Sequence, residues 1–432
     1  MTTAEPLDVA IVGGGIAGIV HLHYARQARL SARVLEKSDG VGGLWRELPA
    51  WQDIQITPAD WNLGDLPLDG SFQPHILANI EAWVKQFQLA DGIRLNSPVT
   101  QAQHDGQSWV LETPRGEVRA RHLVAATGGH NRPVIPAIKR SAASDGHGVR
   151  ELHSSALHDP GEITGRDVVV VGGGASAFDL LDLCLRHQAR RIVWVYRGLR
   201  WFTPTRKPKS IAGSVRPYAK MQVSGMSHEQ QNRALQSDLL TRYEQFGLQA
   251  IQPERPMDVL RDQLIPGRAT MLAQFDQLER HPGHVEAIDG REVTLSDGTR
   301  LNADLLLWGT GYEIDLSYFQ EPQLASVRSL EALVARCVDV FRSQDAPNLY
   351  FPSVVLDGIG AAPWSYAVIA RSIMSHVQGQ APLSTAPPGC RLNHLELAQF
   401  LARREAGTPA DGMDRYQRMA LRAPDDQAYP LP

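Results

Sequence analysis

Near the start of the chain, Leu7-Asp-Val-Ala-Ile-Val-Gly-Gly-Gly-Ile-Ala-Gly18 is echoed much later by Arg166-Asp-Val-Val-Val-Val-Gly-Gly-Gly-Ala-Ser-Ala177. Each copy opens with a β-rich run (Asp8–Val12 in the first), turns on glycines and enters a helical pattern, Ile19–Arg29 or Phe178–Gln188. Each then returns to a second strand, Ala32–Leu35 or Arg191–Val195, which completes a βαβ unit. The repeat extends further. Ser108–Thr113, Pro114-Arg-Gly116 and Glu117–Ala120 read as a hairpin leading into Arg121-His-Leu-Val-Ala-Ala-Thr-Gly-Gly129. Glu292–Leu295, Ser296-Asp-Gly298 and Thr299–Asn302 read as another, leading into Ala303-Asp-Leu-Leu-Leu-Trp-Gly-Thr-Gly-Tyr312. A single glycine-rich turn is a weak signal, but two in the same strand-turn-helix context, each followed by a strand closing on Thr-Gly, constrain the architecture strongly.

A chain of 432 residues with 43% apolar content is too long for one ordinary core and well able to build two. The expected fold is α/β, with two Rossmann-like dinucleotide-binding domains, the second inserted into the first. In the first unit Gly13 permits the tight turn, Gly15 lets backbone approach a pyrophosphate, and Gly18 allows close contact of helix and strand. The helix N-terminus adds free N–H groups and a partial positive charge. Glu36 closes the next strand, where a carboxylate accepts hydrogen bonds from unphosphorylated ribose hydroxyls, as FAD or NAD offers.

The second unit keeps Gly172 and Gly174, opens its helix with Ala175 and Ser176, and has Ala177 in the third place. Its strand ends Val195-Tyr-Arg197 with no acid; Arg197, helped by Arg200, Arg206 or Lys207, suits a 2′-phosphate, which a carboxylate would repel. FAD in the first site and NADPH in the second is the pairing that hydride transfer within one enzyme requires. The expected organisation is residues 1–160 as the first part of the FAD domain and 161–312 as the NADPH domain, with a helical insertion at about 199–284. Residues 313–432 form the return part and tail.

With a formal charge of −4 and no long like-charged run, the surface offers no field for nucleic acid or anionic membrane. Small molecules are the expected partners, and self-association is compatible with the composition. Cys184, Cys337 and Cys390 are too few and too scattered for a disulfide framework or a metal cluster, so no metal is expected. They also lack the close spacing that a dithiol-disulfide reductase needs for its second redox centre, so electrons must leave the reduced flavin elsewhere, with dioxygen (O2) available. No apolar run approaches the roughly 20 residues of a membrane span. The start, Met1-Thr-Thr-Ala-Glu-Pro, shows no basic stretch followed by an apolar signal core, and a cytoplasmic enzyme is expected.

From about Asp8 to Tyr312, with a weaker echo to about residue 374, the chain resembles the class B flavoprotein monooxygenases: the flavin-containing, YUCCA-type and Baeyer–Villiger enzymes. Leu35-Glu-Lys-Ser-Asp-Gly-Val-Gly-Gly-Leu-Trp45 resembles the segment passing over the flavin, Ala125-Ala-Thr-Gly128 with Pro133 and Pro136 the first Thr-Gly crossover, and His153-Ser154 and Gly309-Thr-Gly-Tyr312 two further landmarks. The resemblance implies that Lys37, Gly43, Leu44, Trp45, Val99, Thr127, Gly128, Thr310, Gly311 and Tyr312 also contact cofactor. It further implies that oxygen adds to the flavin C4a carbon; a protonated adduct attacks amines or sulfides, a deprotonated one attacks ketones. The chain departs from the family fingerprint ahead of the second glycine motif, with His147, Val149, His153 and Leu157 and Gly148 one position out of place. It also departs in Trp51-Gln-Asp-Ile-Gln-Ile-Thr-Pro58, where Thr57 falls at the family's asparagine beside the flavin's reactive edge, with Gln52, Asp53 and Gln55 close by.

Thr57, Gln55 and Asp53 are therefore the catalytic candidates, although Thr57 also suits an ordinary turn before Pro58. His153 fits positioning better than general-base work. Between Gly198 and His284, Trp201-Phe202, Tyr218, Met221, Met226, Tyr243 and Phe246 read as a small core before a substrate pocket. Trp364 and Tyr366 divide evenly between pocket lining and packing, and Leu392–Arg404 reads as an amphipathic stretch packing on the FAD domain. The expected activity is insertion of one oxygen atom from O2 into a small substrate by N- or S-oxygenation or hydroxylation. Baeyer–Villiger oxygenation of a ketone, an NADPH-dependent flavoprotein reductase, and a nucleotide-sensing scaffold are the competing readings.

Overall fold

The computed structural model describes residues 5–54, 66, 68–141, 148–203, 226–258, 262, 265–338, 341–352 and 362–379. Gln55, Thr57, Arg206, Lys207, Tyr218, Met221 and Leu392–Arg404 lie outside the described residues.

The Leu7–Val12 strand runs parallel between Ala32–Leu35 and Gly116–Ala125, with Ile93–Arg94 beyond the former and Leu349–Tyr350 beyond the latter. Sandwiched strands of this kind bury both faces, which is why Val9, Ala10 and Ile11 form an unbroken apolar run instead of alternating. The second unit repeats the plan. Asp167–Val171 lies parallel between Arg191–Tyr196 and Leu305–Trp308, flanked by Leu278–Pro282 and Arg150–His153. The sheets differ in where the outermost strand comes from: Leu349–Tyr350 follows the whole second unit, whereas Arg150–His153 precedes its glycine turn. The chain thus crosses between the units twice, and the second is nested in the first.

Both hairpins form, as Trp109–Thr113 with Gly116–Ala125 and as Glu292–Leu295 with Arg300–Asn302. The helices are displaced from the sequence expectation, running Ile16–Gln27 and Ala175–Arg186. They start directly after the third glycine because Gly15 and Gly174 take the extended N-cap conformation, with ψ of −174° and −169°. They end early because Arg29 and Gln188 adopt φ of 58° and 52°, a left-handed conformation that cannot continue the helix.

Within the insertion, Ser227 and Gln230 form a capping box that starts the helix His228–Gln245. Tyr243 from that helix is buried against Trp201 and Phe202, with ring centroids 6.0 and 5.0 Å away. The Trp201 indole donates to the Arg255 carbonyl at 3.1 Å, and the Phe202 N–H donates to the Tyr243 hydroxyl at 3.3 Å. These aromatics are core. The last described helix, Ala362–Val377, packs on Ile16–Gln27 through a buried face that includes Ala367, Ala370, Ile373 and Met374.

The close approach of helix and turn is solved differently in the two copies. In the first, a Cβ on Gly18 would stand 1.8 Å from the Gly13 carbonyl oxygen. In the second, Ala177 is accepted at the matching place and the missing side chain belongs to Gly309 at the facing strand end, whose Cβ would stand 2.7 Å from the Ala177 Cα. A methyl group there meets backbone and not a flexible side chain, so Gly309→Ala is expected to cost about 1–3 kcal/mol in urea-unfolding measurements.

His21 is fully buried in the first helix; its Nδ1–H donates to the Ala17 carbonyl at 2.7 Å and its Nε2 has no partner among the described residues. Burial lowers its pKa from 6.5 to about 4. Between those values the unfolded chain binds a proton that the folded chain refuses, so stability falls as pH drops through that window. The loss approaches about 3 kcal/mol. Unfolding free energy measured against pH is expected to show a shallower slope between these limits in His21→Gln.

Candidate cofactor and active site

At the first glycine turn Gly13 has a φ of 107°, and a Cβ there would stand 2.6 Å from the Ala126 carbonyl oxygen. Glu36 is only 3% exposed and its carboxylate accepts the N–H groups of Gly14 and Ser38, the latter at 2.8 Å. Those bonds fix the acid against the turn. The Gly42 N–H donates to the Gly14 carbonyl at 3.0 Å, which folds the segment after Glu36 back over the turn. Gly15 and Gly43 then face each other, so that a Cβ on Gly15 would stand 3.7 Å from the Gly43 Cα. The two backbones are in contact there, and the bare glycine edge beside the helix N-terminus offers N–H groups of the kind that bind a pyrophosphate.

The residues around this turn take distinct places. Leu44 opens the short helix Leu44–Glu47, and Lys37 pairs with Glu47 at 2.8 Å, both exposed. Trp45 and Val99 are half-buried against the core, and the Trp45 carbonyl accepts from the Gln73 side chain. Asp53 forms a β-bridge with Phe72.

At the second turn Gly172 has a φ of 138°, and a Cβ there would stand 2.2 Å from the Gly309 carbonyl oxygen. Ala175 and Ser176 form the exposed first turn of a helix with no side-chain cap, so its N–H groups remain available. Arg197 and Arg200 are exposed, and neither makes an ion pair with another described residue. Their placement differs. The Arg200 N–H donates to the Gly173 carbonyl at 3.1 Å, and its side chain lies over Gly174, with Nε 3.9 Å from where a Cβ would be. Arg197 follows the strand end. Sequence reasoning ranked Arg197 first and Arg200 as an accessory; the fold puts Arg200 at the glycine turn itself.

The Thr-Gly landmarks meet where the chain crosses between units. Tyr312 pairs with Pro133 and Glu313 with Arg132 in a two-stranded antiparallel ribbon. The Thr310 hydroxyl donates to the Val134 carbonyl, the Val134 N–H to the Gly311 carbonyl at 3.0 Å, and Arg132 pairs with Glu313 at 3.0 Å. The Asn131 amide donates to the Thr127 carbonyl at 3.3 Å and accepts the Asp315 N–H at 2.8 Å. Gly128 and Gly311 take left-handed φ values of 78° and 79° on the two crossings.

His153 sits beside this ribbon. Its Nε2 lies 3.0 Å from the Gly311 carbonyl, which can only accept, so Nε2 carries the proton and Nδ1 accepts from the Ser155 hydroxyl at 2.8 Å. Burial holds its pKa below the usual histidine range. Through these two bonds His153 ties the start of the second unit to the crossing. Its ring meets Tyr312 edge-on at 5.0 Å, and burial raises the Tyr312 phenol, which bonds to the hydroxyls of Ser155 and Ser154.

Two residues without any motif complete the site. Asp179 and Arg268 form a buried ion pair at 2.6 Å, and Gln52 donates to the other Asp179 oxygen at 2.8 Å. No local periodicity marks them. Among the described residues, no cluster of three or more His, Cys, Asp or Glu is placed to hold a metal ion, and no helix is long and apolar enough to cross a membrane. Cys184 and Cys337 are buried and unpaired, and burial pushes both thiols up, Cys337 to about 12.

Comparison with known proteins gives the same picture. An uncharacterized CzcO-like oxidoreductase of Geobacillus kaustophilus is 23% identical over 331 residues, 74% of this chain and 85% of that protein. A Baeyer-Villiger monooxygenase of Streptomyces coelicolor is 24% identical over 349 residues, covering 72% of this chain and 65% of that one. The chain spans only 35% and 32% of two further curated monooxygenases. The solved complex of OTEMO with FAD and NADP superposes with a TM-score of 0.63 at 15% identity, over 87% of this chain and 86% of that one. The two-unit α/β fold is therefore shared with flavin monooxygenases, and the resemblance read from the sequence is the one these relatives carry. The matching family model is described as pyridine nucleotide-disulphide oxidoreductase and covers residues 10–245, more than half of the sequence, so the chain belongs to that family.

Proposed function

We propose that this protein is an FAD- and NADPH-dependent monooxygenase that inserts one oxygen atom from O2 into a small organic substrate by N- or S-oxygenation or hydroxylation. One observation carries the reading: two nucleotide turns are tied together by a zipped double crossing, while the three cysteines, Cys184, Cys337 and Cys390, supply no neighbouring thiol pair to take electrons onward. The cofactors named for the OTEMO complex fit both turns. Bound together, NADPH would supply a hydride and the flavin would carry its electrons to oxygen.

The residues divide the work as follows. The bare backbone at Gly15 and Gly43 and the Ile16 helix end would take the first pyrophosphate, and Glu36, held by two backbone N–H groups, would accept the ribose hydroxyls. Gly172, Gly174, Ala175, Ser176 and Arg200 would surround the second pyrophosphate, leaving Arg197 for the 2′-phosphate. Lys37, Leu44, Trp45, Val99, Thr127, Gly128, Thr310, Gly311 and Tyr312 would border the cofactors along the crossing. Asp53, with Gln55 and Thr57 after it, would supply hydrogen bonds at the reactive edge and keep water out, since a wet site releases hydrogen peroxide before the substrate reacts. The Streptomyces coelicolor relative favours a second reading, Baeyer–Villiger oxygenation of a ketone on the same residues.

Turnover with heavy-isotope dioxygen across amines, sulfides and ketones is expected to place the label in one product class, read by mass spectrometry. Rapid NADPH oxidation with an artificial acceptor, no label in any product and negligible oxygen use would instead establish a reductase. Arg197→Glu is expected to lower the kcat/KM preference for NADPH over NADH by about ten- to a hundredfold, since a charge-assisted phosphate contact contributes about 1.5–3 kcal/mol. Arg200→Ala should weaken both cofactors alike, because the pyrophosphate beside Gly174 is common to them.

A further inference from the structure

In the most deeply buried ion pair among the described residues, Asp179–Arg268, each partner comes from a different part of the chain. Asp179 is in the second turn of the helix Ala175–Arg186, whose first turn ends the second glycine motif. Arg268 is the N-cap of the helix Ala269–Ala273, at the end of the insertion. Their side chains are 9% and 4% exposed. Gln52, from the loop that follows the first unit's Leu44–Glu47 helix, donates across the interface to the second Asp179 oxygen.

That loop is itself tightly held. The Trp51 indole donates to the Leu157 carbonyl at 2.5 Å, the Gln73 N–H to the Gln52 carbonyl at 2.8 Å, and the Ile54 N–H to the Ser71 carbonyl at 3.0 Å. A displacement of Asp179 therefore moves the backbone beside Asp53 or breaks the Gln52 bond. A carboxylate out of water with one guanidinium partner cannot give up either contact cheaply. The Gln52–Asp179 bond is thus a tie between the two units in addition to the zipped crossing, and each further tie narrows the ways in which they can shift against one another.

We infer that Asp179 and Arg268 are positioning residues: together with Gln52 they latch the second nucleotide-binding helix to the loop that carries Asp53, and so set how squarely the nicotinamide meets the flavin. The inference rests on the two-cofactor reading above, but not on oxygen insertion, because reduction of the flavin by NADPH precedes any use of oxygen. A misplacement of about an ångström between reacting groups costs up to about a hundredfold in rate.

The test uses the full chain with three variants. Arg268→Met and Asp179→Asn break the pair, and Gln52→Leu leaves the pair intact and removes only the bond across the interface, so it guards against misfolding. Flavin bleaching by saturating NADPH without oxygen is expected to slow by about tenfold or more in all three, while NADPH affinity changes by less than about threefold. Arg268→Lys, which keeps the charge, should recover part of the rate. Independently of turnover, amide exchange of the unloaded chain should rise by about tenfold at residues 51–54 in Gln52→Leu. The inference is overturned if bleaching is unchanged in Gln52→Leu, if every loss of rate tracks a loss of NADPH affinity, or if exchange at 51–54 does not respond. If bleaching responds as expected but no isotope from dioxygen reaches a product, the latch stands and the monooxygenase reading falls.

Discussion

The fold turns on backbone approaching backbone where side chains are missing. At each glycine turn the first turn of a helix is brought so near a strand end that a single methyl group would collide with a main-chain atom, at Gly18 against the preceding strand's end in one copy and at Gly309, on the neighbouring strand's end, in the other. Close-packed interiors have no slack to absorb that methyl. The same contact delivers the helix's unpaired N–H groups to the point where the sheet ends, so the packing constraint and the anion site have one cause. The second copy's Ala177, a departure from the glycine pattern in sequence, follows from this: the small residue has moved to the opposing strand end.

Nesting then converts two sites into one machine. Because Leu349–Tyr350 completes the first sheet only after the second unit is finished, the chain must cross between the units twice. Two crossings can pair with each other, and they do, through Arg132–Pro133 and Tyr312–Glu313 with reciprocal Asn131–Asp315 bonds beside them. His153 is bonded into this arrangement. Its Nε2–H is spent on a carbonyl and its Nδ1 on a hydroxyl, which also explains how an imidazole can be buried neutral without an orphaned nitrogen.

The parts of this architecture that repeat at fixed spacing were legible in the sequence. Strand, turn, helix and hairpin recur with their own periods, so Gly13, Glu36, Gly172 and the two Thr-Gly strand ends could be placed before any coordinates existed. Helix limits were less legible, because Arg29 and Gln188 adopt left-handed φ values that their side chains do not announce. Arg200 could be named but not placed, since its position over Gly174 depends on a loop closing back on the turn. Asp179 and Arg268 were invisible as a pair: they stand 89 positions apart and neither interrupts a pattern, so only the tertiary fold joins them. Gln55 and Thr57 fall outside the described residues, so of that stretch only Trp51 to Ile54 can be compared with the expectation.

Among the described residues there is no thiol pair of the kind that disulfide reduction uses. Disulfide reduction requires two thiols within reach of each other and of the flavin, at least one of them ready to ionise. Cys184 and Cys337 are instead buried in apolar surroundings that hold their thiols protonated, and Cys390 is far from both in sequence. The family match spans residues 10–245 and so includes both glycine turns, which suit the nucleotides by which electrons enter. How they leave is decided locally, by what lies at the flavin's exposed edge. On the first unit, the loop Trp51–Ile54 is braced by backbone contacts and, through Gln52, by a buried ion pair of the second, so the two units share a rigid support beyond the glycine turns themselves.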